Sequence, residues 1–415
     1  MRITGRLETT SVLGESVRAF VPLALPPTAP PIVIDGELLE RVRKAEEALR
    51  MLNLAAAMVP DVGWFVYAFV RKEAVVSSQI EGTQATLVDL LAYEAEKPAD
   101  AGRDVEEICN YLDATTWARK QFTAKNGVPL SVRLFNEAHK RLMKGVRGAD
   151  KAPGELRRTQ NWIGGTRPGT ATFVPPPPHL VGELISDVEK YVHSDDALPP
   201  LVRAGLVHVQ FETIHPYLDG NGRLGRLLVA LLLEEWGLLA HPLLYLSLYF
   251  KRNRADYYRL LTGVRVDGDW ESWTRFFVDG VATIADEAAT TAKDLFALTS
   301  KDNARVLAAT GTSVTALRLF ALLPKHPMVT IPGVATLLET TMPTANKSVQ
   351  TLVDVGVLKE TTGKKRDRTF AYTAYLDRLR VGTELASGAV IKGTEPLATT
   401  RRPAGGSRPA PKRQR

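Results

Sequence analysis

Cysteine is almost absent from this chain, which has a single one, Cys109, in 415 residues. One thiol excludes an internal disulfide framework, and because Cys109 lies within a helical pattern of apolar residues we expect it to pack in the core. Long hydrophobic runs are also lacking, since proline repeatedly interrupts the apolar stretch from Val17 to Ile34. No signal peptide is recognisable either. We therefore expect a cytoplasmic protein that does not enter a membrane.

Excess positive charge is scarce in the body of the chain, although the formal net charge is +7. Residues 401–415 contain six basic residues and no acidic one, so the preceding 400 residues carry a net charge of only +1. Residues 381–415 are expected to form a disordered basic tail, because the end of the chain is rich in Gly, Pro and Ser. This tail either contacts nucleic acid or is simply a solvated end.

Helical periodicity dominates the remainder, and a hydrophobic content of 45% is enough for two or three domains. Apolar residues recur at helical spacing from Leu38 to Leu52, and Asp61 is placed to cap the next helix. Similar patterns predict helices over 103–122, 131–144, 180–193, 198–214, 223–236 and 253–263, with another helical region starting at Trp270. We expect a mainly α fold, divided into a helical region (1–100), a core (101–296) and a polar linker (297–312).

The twelve residues from His215 to Arg226, HPYLDGNGRLGR, are the most informative stretch. Pro216 disfavours helical geometry at the residue before it, so a helix should end near His215 and leave Asp219 in a loop. The Gly-Asn-Gly run can present successive backbone N–H groups to an anion, and the next helix directs its positive end at the same place. Arg223 and Arg226 share the first turn of that helix, where cations oppose the helix dipole. A magnesium-bound polyphosphate would account for every part of this pattern.

Two alternatives compete with this interpretation. Gly-Asn-Gly by itself is a common turn, and Glu212-x-x-His215 imitates a di-iron ligand pair. The chain has no second Glu-x-x-His, however, and Pro216 breaks the helix that such a metal site requires. A histidine with an ordinary pKa of about 6.5 can instead accept a hydroxyl proton near neutral pH.

At these residues the chain closely resembles the Fic family, whose signature is His-Pro-Phe-x-Asp/Glu-Gly-Asn-Gly-Arg-x-x-Arg; only Tyr217 departs from it. The resemblance implies transfer of AMP from ATP to a Ser, Thr or Tyr hydroxyl of a protein target, self-modification included. It also implies that His215 is the base and that Asp219 binds Mg²⁺. The implied phosphate-binding residues are Gly220, Asn221 and Gly222 as an anion hole, with Arg223 and Arg226 at the terminal phosphates.

A second motif lies upstream, where residues 77–82, SSQIEG, match the inhibitory pattern of the same family, Ser/Thr-x-x-x-Glu-Gly/Asn. Ser77 and Glu81 are one helical turn apart, and Gly82 suits the position after a helix end. Taken alone, a helix end with a solvated glutamate is the simpler interpretation. The resemblance implies instead that Glu81 pairs with Arg226, displaces the γ-phosphate of ATP and restrains the transferase; a role in removing AMP from a modified target is a further hypothesis.

Residues 159–179 predict a β-hairpin, because two short β-prone runs flank a Gly/Pro/Thr turn and a proline run follows. The segment resembles the family's flap, which covers the nucleotide and aligns the target by strand addition; the alternative is a surface hairpin beside a proline-rich docking site. The resemblance suggests nucleotide contacts from Ile163, Gly164, Gly165 and Tyr257. Tyr257 and its neighbour Tyr258 suit core packing equally well.

Residues 313–380 predict a different unit, with helices over 313–323, 334–338 and 344–355 and strands over 358–360 and 369–372 around a basic loop. This order resembles a winged-helix domain, with Asn346, Lys347 and Gln350 on a recognition helix that could contact DNA. A protein-interaction or dimerisation module, including one for a homodimer, is the alternative. The intact signature favours an AMP-transferring enzyme over a DNA-associated regulator whose Fic core only senses nucleotide.

Overall fold

The computed structural model describes residues 2–59, 61–96, 98, 102–310 and 314–385, and helices dominate these residues. The first seven helices are α1 (Gly36–Ala57), α2 (Gly63–Ile80), α3 (Leu87–Glu96), α4 (Arg103–Thr123), α5 (Val132–Leu142), α6 (Pro178–Val192) and α7 (Pro200–Ile214). The following eight are α8 (Asn221–Glu235), α9 (Ser247–Arg252), α10 (Arg254–Asp267), α11 (Trp270–Thr310), α12 (Val314–Leu322), α13 (Ile331–Leu337), α14 (Met342–Asp354) and α15 (Thr373–Leu379). The strands are β1 (Gly5–Val12), β2 (Glu15–Pro22), β3 (Met328–Thr330), β4 (Lys359–Glu360) and β5 (Thr369–Ala371). The predicted mainly α fold is confirmed.

Helix α7 lies at the centre of the molecule. Every residue from Leu201 to Ile214 is buried, polar ones such as His208 and Glu212 included, so neighbouring elements cover this helix on all sides. It packs against α6, α8, α10 and α11, while α1 runs along α11 on the outside. Because α7 ends at Ile214 and α8 begins at Asn221, the loop between them is anchored at both ends in the core. None of the helices in the described residues combines the length and the apolar character needed to cross a bilayer.

The chain begins with a β-hairpin, so the expectation of a purely helical region over residues 1–100 is wrong at its start. Strands β1 and β2 pair in antiparallel register through a two-residue turn, in which Leu13 (φ 50°) and Gly14 (φ 82°) both have positive φ. That turn type follows the natural twist of paired strands. The hairpin packs on the 159–179 segment, where the backbone N–H of Phe20 donates to the Val174 carbonyl at 2.9 Å.

The 159–179 segment forms the predicted hairpin in reduced form. A single β-bridge joins Ile163 to Phe173, and a short 3₁₀ turn over Pro168–Thr170 closes the loop between them. Val174 joins Val12, Val17 and Ala19 in a small core of its own beneath the hairpin. The N-terminal strands therefore pack against the 159–179 segment.

The C-terminal unit has the order α12–β3–α13–α14–β4–β5. The three helices and the last two strands follow the predicted order, and β3 is an additional strand that was not predicted. Its three strands form an antiparallel sheet in the order β3-β5-β4. The unit shares one continuous hydrophobic core with the rest of the described chain. Two side-chain hydrogen bonds join it to the helices: Tyr372 donates to Asp302 at 2.7 Å in a buried contact, and Thr369 donates to the exposed Glu96 at 2.6 Å.

Residues 297–310, predicted as part of a linker, are instead the last turns of α11. A linker was predicted because these residues are mostly polar, but they are polar because only one side of the helix is buried. Thr299, Asp302 and Val306, spaced three and four residues apart, all lie on that side. Residues 311–313 lie outside the described residues, and so does the predicted basic tail beyond residue 385.

Candidate active site

The loop between α7 and α8 is held in one conformation by its own side chains. His215 ends α7 in the left-handed region (φ 49°, ψ 62°), and Gly220 begins α8 in the same region (φ 77°, ψ 4°). Between them, the ring of Tyr217 is fully buried and stacks on His139 at 3.9 Å. The phenolic hydroxyl of Tyr217 donates to Asn136 at 2.7 Å. Tyr217 therefore anchors the loop in the core.

Asn221 closes this loop rather than pointing its amide outward. Its Oδ1 accepts from the backbone N–H of Tyr217 at 2.9 Å, and its Nδ2 donates to the Tyr217 carbonyl at 2.8 Å. Because the side chain is 2% exposed and fully engaged, only the backbone N–H of Asn221 is left to face an anion. The predicted anion hole would therefore have to be formed by backbone N–H groups of the Gly220–Gly222 turn, of which that of Gly220 donates to Asp219 in this structure.

His215 is half-buried at the end of α7. Burial, followed by the nearby Arg157 guanidinium, lowers the pKa of its imidazole to about 3. The ring is therefore neutral at physiological pH and free to accept a proton.

Asp219 lies on the same loop, and its Oδ1 accepts from the Gly220 N–H at 2.6 Å. Its backbone carbonyl contacts Nε2 of His139 at 2.9 Å, while Nδ1 of that histidine accepts from the Gly154 N–H at 2.9 Å. His139 must therefore be the neutral Nε2–H tautomer, in agreement with a pKa that burial lowers to about 4. Its role had no local sequence signal, because Gly154 and Asp219 are distant in the chain.

No group of three or more His, Cys, Asp or Glu residues in the described part of the chain is arranged to hold a metal ion. Asp219 alone supplies a hard carboxylate oxygen, which suits Mg²⁺ when phosphate oxygens and water complete the coordination. The donor set thus fits a metal that arrives with a polyphosphate, and it does not fit a di-iron site.

The upstream motif and the α8 helix meet through Arg226. The guanidinium donates to Oε1 of Glu81 at 2.8 Å, to the Ser77 hydroxyl at 2.9 Å and to the Ser77 carbonyl at 2.9 Å. The Arg226 side chain is 2% exposed and that of Glu81 is 30% exposed. Burial is the largest single effect on the pKa of Glu81 and raises it, but the charge and the hydrogen bond of Arg226, together with the Arg223 charge, outweigh burial and hold the pKa below its usual range. The glutamate is therefore ionised, and its Oε1 lies next to Gly222.

Arg223 is hydrogen-bonded to a residue that no sequence motif singled out. Its Nη1 donates to Oε2 of Glu107 on α4 at 3.3 Å, and the Thr83 hydroxyl donates to the same oxygen at 3.1 Å. Arg223 and Glu107 are each 2% exposed. In this state both signature arginines thus have carboxylate partners, and neither faces open solvent. Nε of Arg223 is buried without a hydrogen-bond partner in the described chain.

The predicted flap residues lie at the surface: Gly164 and Gly165 are exposed and Ile163 is half-buried. The base of the flap is joined to the signature loop, because Nδ2 of Asn161 donates to the Tyr217 carbonyl at 3.2 Å.

Tyr257 is 2% exposed, and its hydroxyl contacts Nε2 of His208 at 2.9 Å. Its neighbour Tyr258 is 41% exposed. The burial of Tyr257 agrees with the core-packing alternative. Cys109, as expected, packs against the core, and burial raises the pKa of its thiol to about 11.

Comparison with known proteins matches two family models to the chain. The Fic/DOC family N-terminal model matches residues 39–120, and the Fic/DOC family model matches residues 129–233. The chain is 29% identical over 245 residues to the protein adenylyltransferase Fic of Drosophila grimshawi, covering 58% of this chain and 46% of that protein. It is 30% identical over 179 residues to a probable protein adenylyltransferase of Aquifex aeolicus, covering 42% of this chain and 51% of that protein. The chain thus spans about half the length of the curated relatives it matches.

Among solved structures, a Fic family protein from Desulfovibrio desulfuricans G20 superposes with a TM-score of 0.54 at 20% identity. The match covers 82% of this chain and 97% of that protein. At this level of identity the likeness concerns the fold.

Proposed function

This chain belongs to the Fic family, and from that membership and the geometry of its α7–α8 loop we propose that it transfers AMP from ATP to a Ser, Thr or Tyr hydroxyl of a protein. The observation that carries the proposal is the loop itself. It holds a neutral imidazole at one end and the N-terminus of α8 at the other. The names of the curated relatives, protein adenylyltransferases, support the same activity.

In the proposed reaction, the imidazole of His215 accepts the proton of the target hydroxyl. The hydroxyl oxygen forms a bond to the α-phosphorus, the bond from that phosphorus to the β-phosphate oxygen breaks, and pyrophosphate leaves. Backbone N–H groups of the Gly220–Gly222 turn and the positive end of α8 stabilise the charge on the phosphate oxygens. Asp219 would hold Mg²⁺, which supplies further charge neutralisation when it is bound with ATP.

We propose further that Glu81 restrains this reaction. A carboxylate that already occupies Arg226 competes with the γ-phosphate, since both are anions suited to the same guanidinium fork. Freed of Glu81, Arg226 would hold the γ-phosphate together with Arg223. The same carboxylate is placed beside the anion hole, where it would assist removal of AMP from a modified target. For the flap, we propose that Ile163, Gly164 and Gly165 cover the nucleotide.

The test is incubation of three forms of the full chain with α-labelled ATP, Mg²⁺ and cell extract. We expect weak labelling of protein by the natural chain, strong labelling by Glu81→Gly and none by Glu81→Gly combined with His215→Ala. Labelling that persists without His215 would contradict the proposed base. The absence of labelling even in Glu81→Gly would contradict AMP transfer and favour a nucleotide sensor.

A second candidate function, DNA binding by the C-terminal unit, rests on its exposed polar surface. Asn346, Lys347 and Gln350 are all exposed on α14. The loop between β4 and β5 adds the exposed basic residues Lys364, Lys365 and Arg366. Such a surface suits phosphate contacts from the loop and base contacts from the helix.

Because this unit shares its core with the rest of the protein, the binding test uses the full chain and a labelled duplex. DNA binding predicts an affinity that falls steeply with salt and that is lost in Lys364→Glu/Lys365→Glu. DNA affinity that is unaffected by both salt and the double substitution would favour a protein-interaction module. Sedimentation of the same sample would test for a homodimer.

A further inference from the structure

Arg157 is a buried cation whose hydrogen-bond partners are backbone carbonyl groups. It is 2% exposed. Its guanidinium donates to the carbonyls of His215 (2.9 Å), Pro176 (2.6 Å) and Ile214 (3.3 Å). No carboxylate in the described chain pairs with it, and burial lowers its pKa to about 10. Burying a charge without a carboxylate partner costs free energy. The role of Arg157 therefore lies in the backbone segments that its hydrogen bonds hold in place.

The contacts join two parts of the site that are distant in sequence. Ile214 and His215 end α7, where the carbonyl groups lack helical partners. His215 is moreover a non-glycine residue in the left-handed region (φ 49°), a conformation that is unfavourable for a residue with a side chain. Pro176 lies at the far end of the flap segment. The backbone N–H of Arg157 adds a further bond, to the Pro216 carbonyl at 2.9 Å.

We propose that Arg157 is a positioning residue, which fixes the backbone of His215 and the end of the flap relative to each other. The inference rests on the proposed AMP transfer, in which the base and the segment that aligns the target must keep a common geometry. Displacing a reacting group by about 1 Å can cost about a hundredfold in rate. No sequence motif pointed to this residue, because its partners lie 19 and 58 positions away.

Arg157 also belongs to the charged surroundings of the imidazole. The charged groups that face His215 are Arg157, Arg265 and Glu81. The two arginines disfavour the protonated ring, and Glu81 favours it. A variant that keeps the positive charge and one that removes it therefore separate the positioning of His215 from its electrostatics.

The experiment compares Arg157→Lys and Arg157→Gln in the full chain carrying Glu81→Gly. The matched control is Arg203 on α7, which like Arg157 is a buried arginine (8% exposed). It donates to the backbone carbonyls of Tyr191 (2.8 Å) and Ser194 (2.9 Å). It lies twelve residues before His215, about 18 Å along the helix. The measurements are kcat and KM for AMP transfer, the melting temperature and the titration of the His215 ring by NMR.

For Arg157→Lys we expect kcat to fall by about ten- to a hundredfold, with little change in the KM for ATP and no upward shift of the His215 titration. For Arg157→Gln we expect a similar loss of kcat together with an upward shift. The Arg203 variants should melt earlier while kcat and the titration stay unchanged.

The proposal is overturned if Arg157 and Arg203 variants lose stability alike and kcat is unaffected in both. If Arg157→Gln fails to fold, Arg157→Lys alone decides between these outcomes. Failure of the proposed function is distinguishable, because Glu81→Gly would then transfer no AMP even with Arg157 intact. The His215 titration would in that case still report whether Arg157 acts on the ring.

Discussion

Replacing Glu81 by glycine tests the competition between this carboxylate and the γ-phosphate of ATP. The bond from Arg226 to Oε1 of Glu81 is 2.8 Å long, and the arginine side chain is only 2% exposed. A hydrogen bond between charged partners contributes about 1.5–3 kcal/mol. Both bonds to Ser77 remain in the variant, so we take about 2 kcal/mol for the loss.

If ATP must break this bond to reach Arg226, its removal should strengthen ATP binding by ~30-fold, since 1.4 kcal/mol corresponds to a factor of ten. ADP lacks the γ-phosphate, and its affinity should change by less than about threefold, within 0.6 kcal/mol. Titration calorimetry with Mg²⁺ and each nucleotide measures both values. Glu81→Gln, which keeps the size but not the charge, should give a smaller rise than glycine.

Gln84→Gly is the matched control, because Gln84 is exposed in the same loop and its side chain donates to the Gly82 carbonyl at 3.0 Å. The bond from its backbone N–H to Asp104, at 2.7 Å, is kept in the variant. It introduces the flexibility of glycine without freeing Arg226, so ATP affinity should stay unchanged. Equal gains for ATP and ADP in Glu81→Gly would refute the reasoning. So would an ATP affinity that does not move at all.

Three further substitutions have expected outcomes. In Gly222→Ala the new methyl group would overlap Oε1 of Glu81. We therefore expect a loss of about 1–3 kcal/mol in the free energy of unfolding, measured by urea denaturation. An unchanged denaturation midpoint would show that the Glu81 side chain moves freely. Asn221→Ala removes both bonds to the Tyr217 backbone. The Tyr217 carbonyl still accepts from Asn161, so we expect a cost of about 1–3 kcal/mol for the buried Tyr217 N–H left unpaired, with ATP binding lost if the turn opens. Burial raises the pKa of Glu212 to about 7. The contribution of Glu212 to stability is therefore present below its ordinary pKa and is lost as pH rises through about 7. Glu212→Gln should flatten the fall in melting temperature between pH 5 and 8, and an equally steep fall in the variant would contradict this.

Much of the fold and of the site could be predicted from local sequence. The helices follow from apolar periodicity, and the α7–α8 loop follows from Pro216 and the Gly-Asn-Gly run, because each of these acts within a few residues. The N-terminal hairpin was missed because its turn, Leu13-Gly14, is not one of the Asn-Gly or Asp-Gly pairs that signal such turns most strongly. The last turns of α11 were missed because a helix buried on one side only can have a polar composition overall.

Pairings between distant elements could not be predicted in this way. Glu107 appears in the sequence as one acidic residue among several on α4, and nothing near it announces a bond to Arg223. His139 and Arg157 likewise have partners that only the packing of α5, α7 and the flap brings within reach. The polar groups that line a site can be inferred from a motif, whereas the groups that orient them depend on the tertiary fold.

The predicted inhibitory motif, residues 77–82, is held by residues beyond its own helix. Gln79, two positions before Glu81, donates from Nε2 to the carbonyls of Ala85 (2.9 Å) and Thr383 (2.8 Å). Its Oε1 accepts from Lys251 at 2.7 Å, and the same ammonium group binds the carbonyl of residue 384 at 2.9 Å. Loss of the segment that follows α15 would leave the buried Gln79 amide with a missing partner, at a cost of about 1–3 kcal/mol. Because Gln79 is only two residues before the carboxylate that occupies Arg226, we expect a change in the packing of the C-terminal segment to shift the position of Glu81.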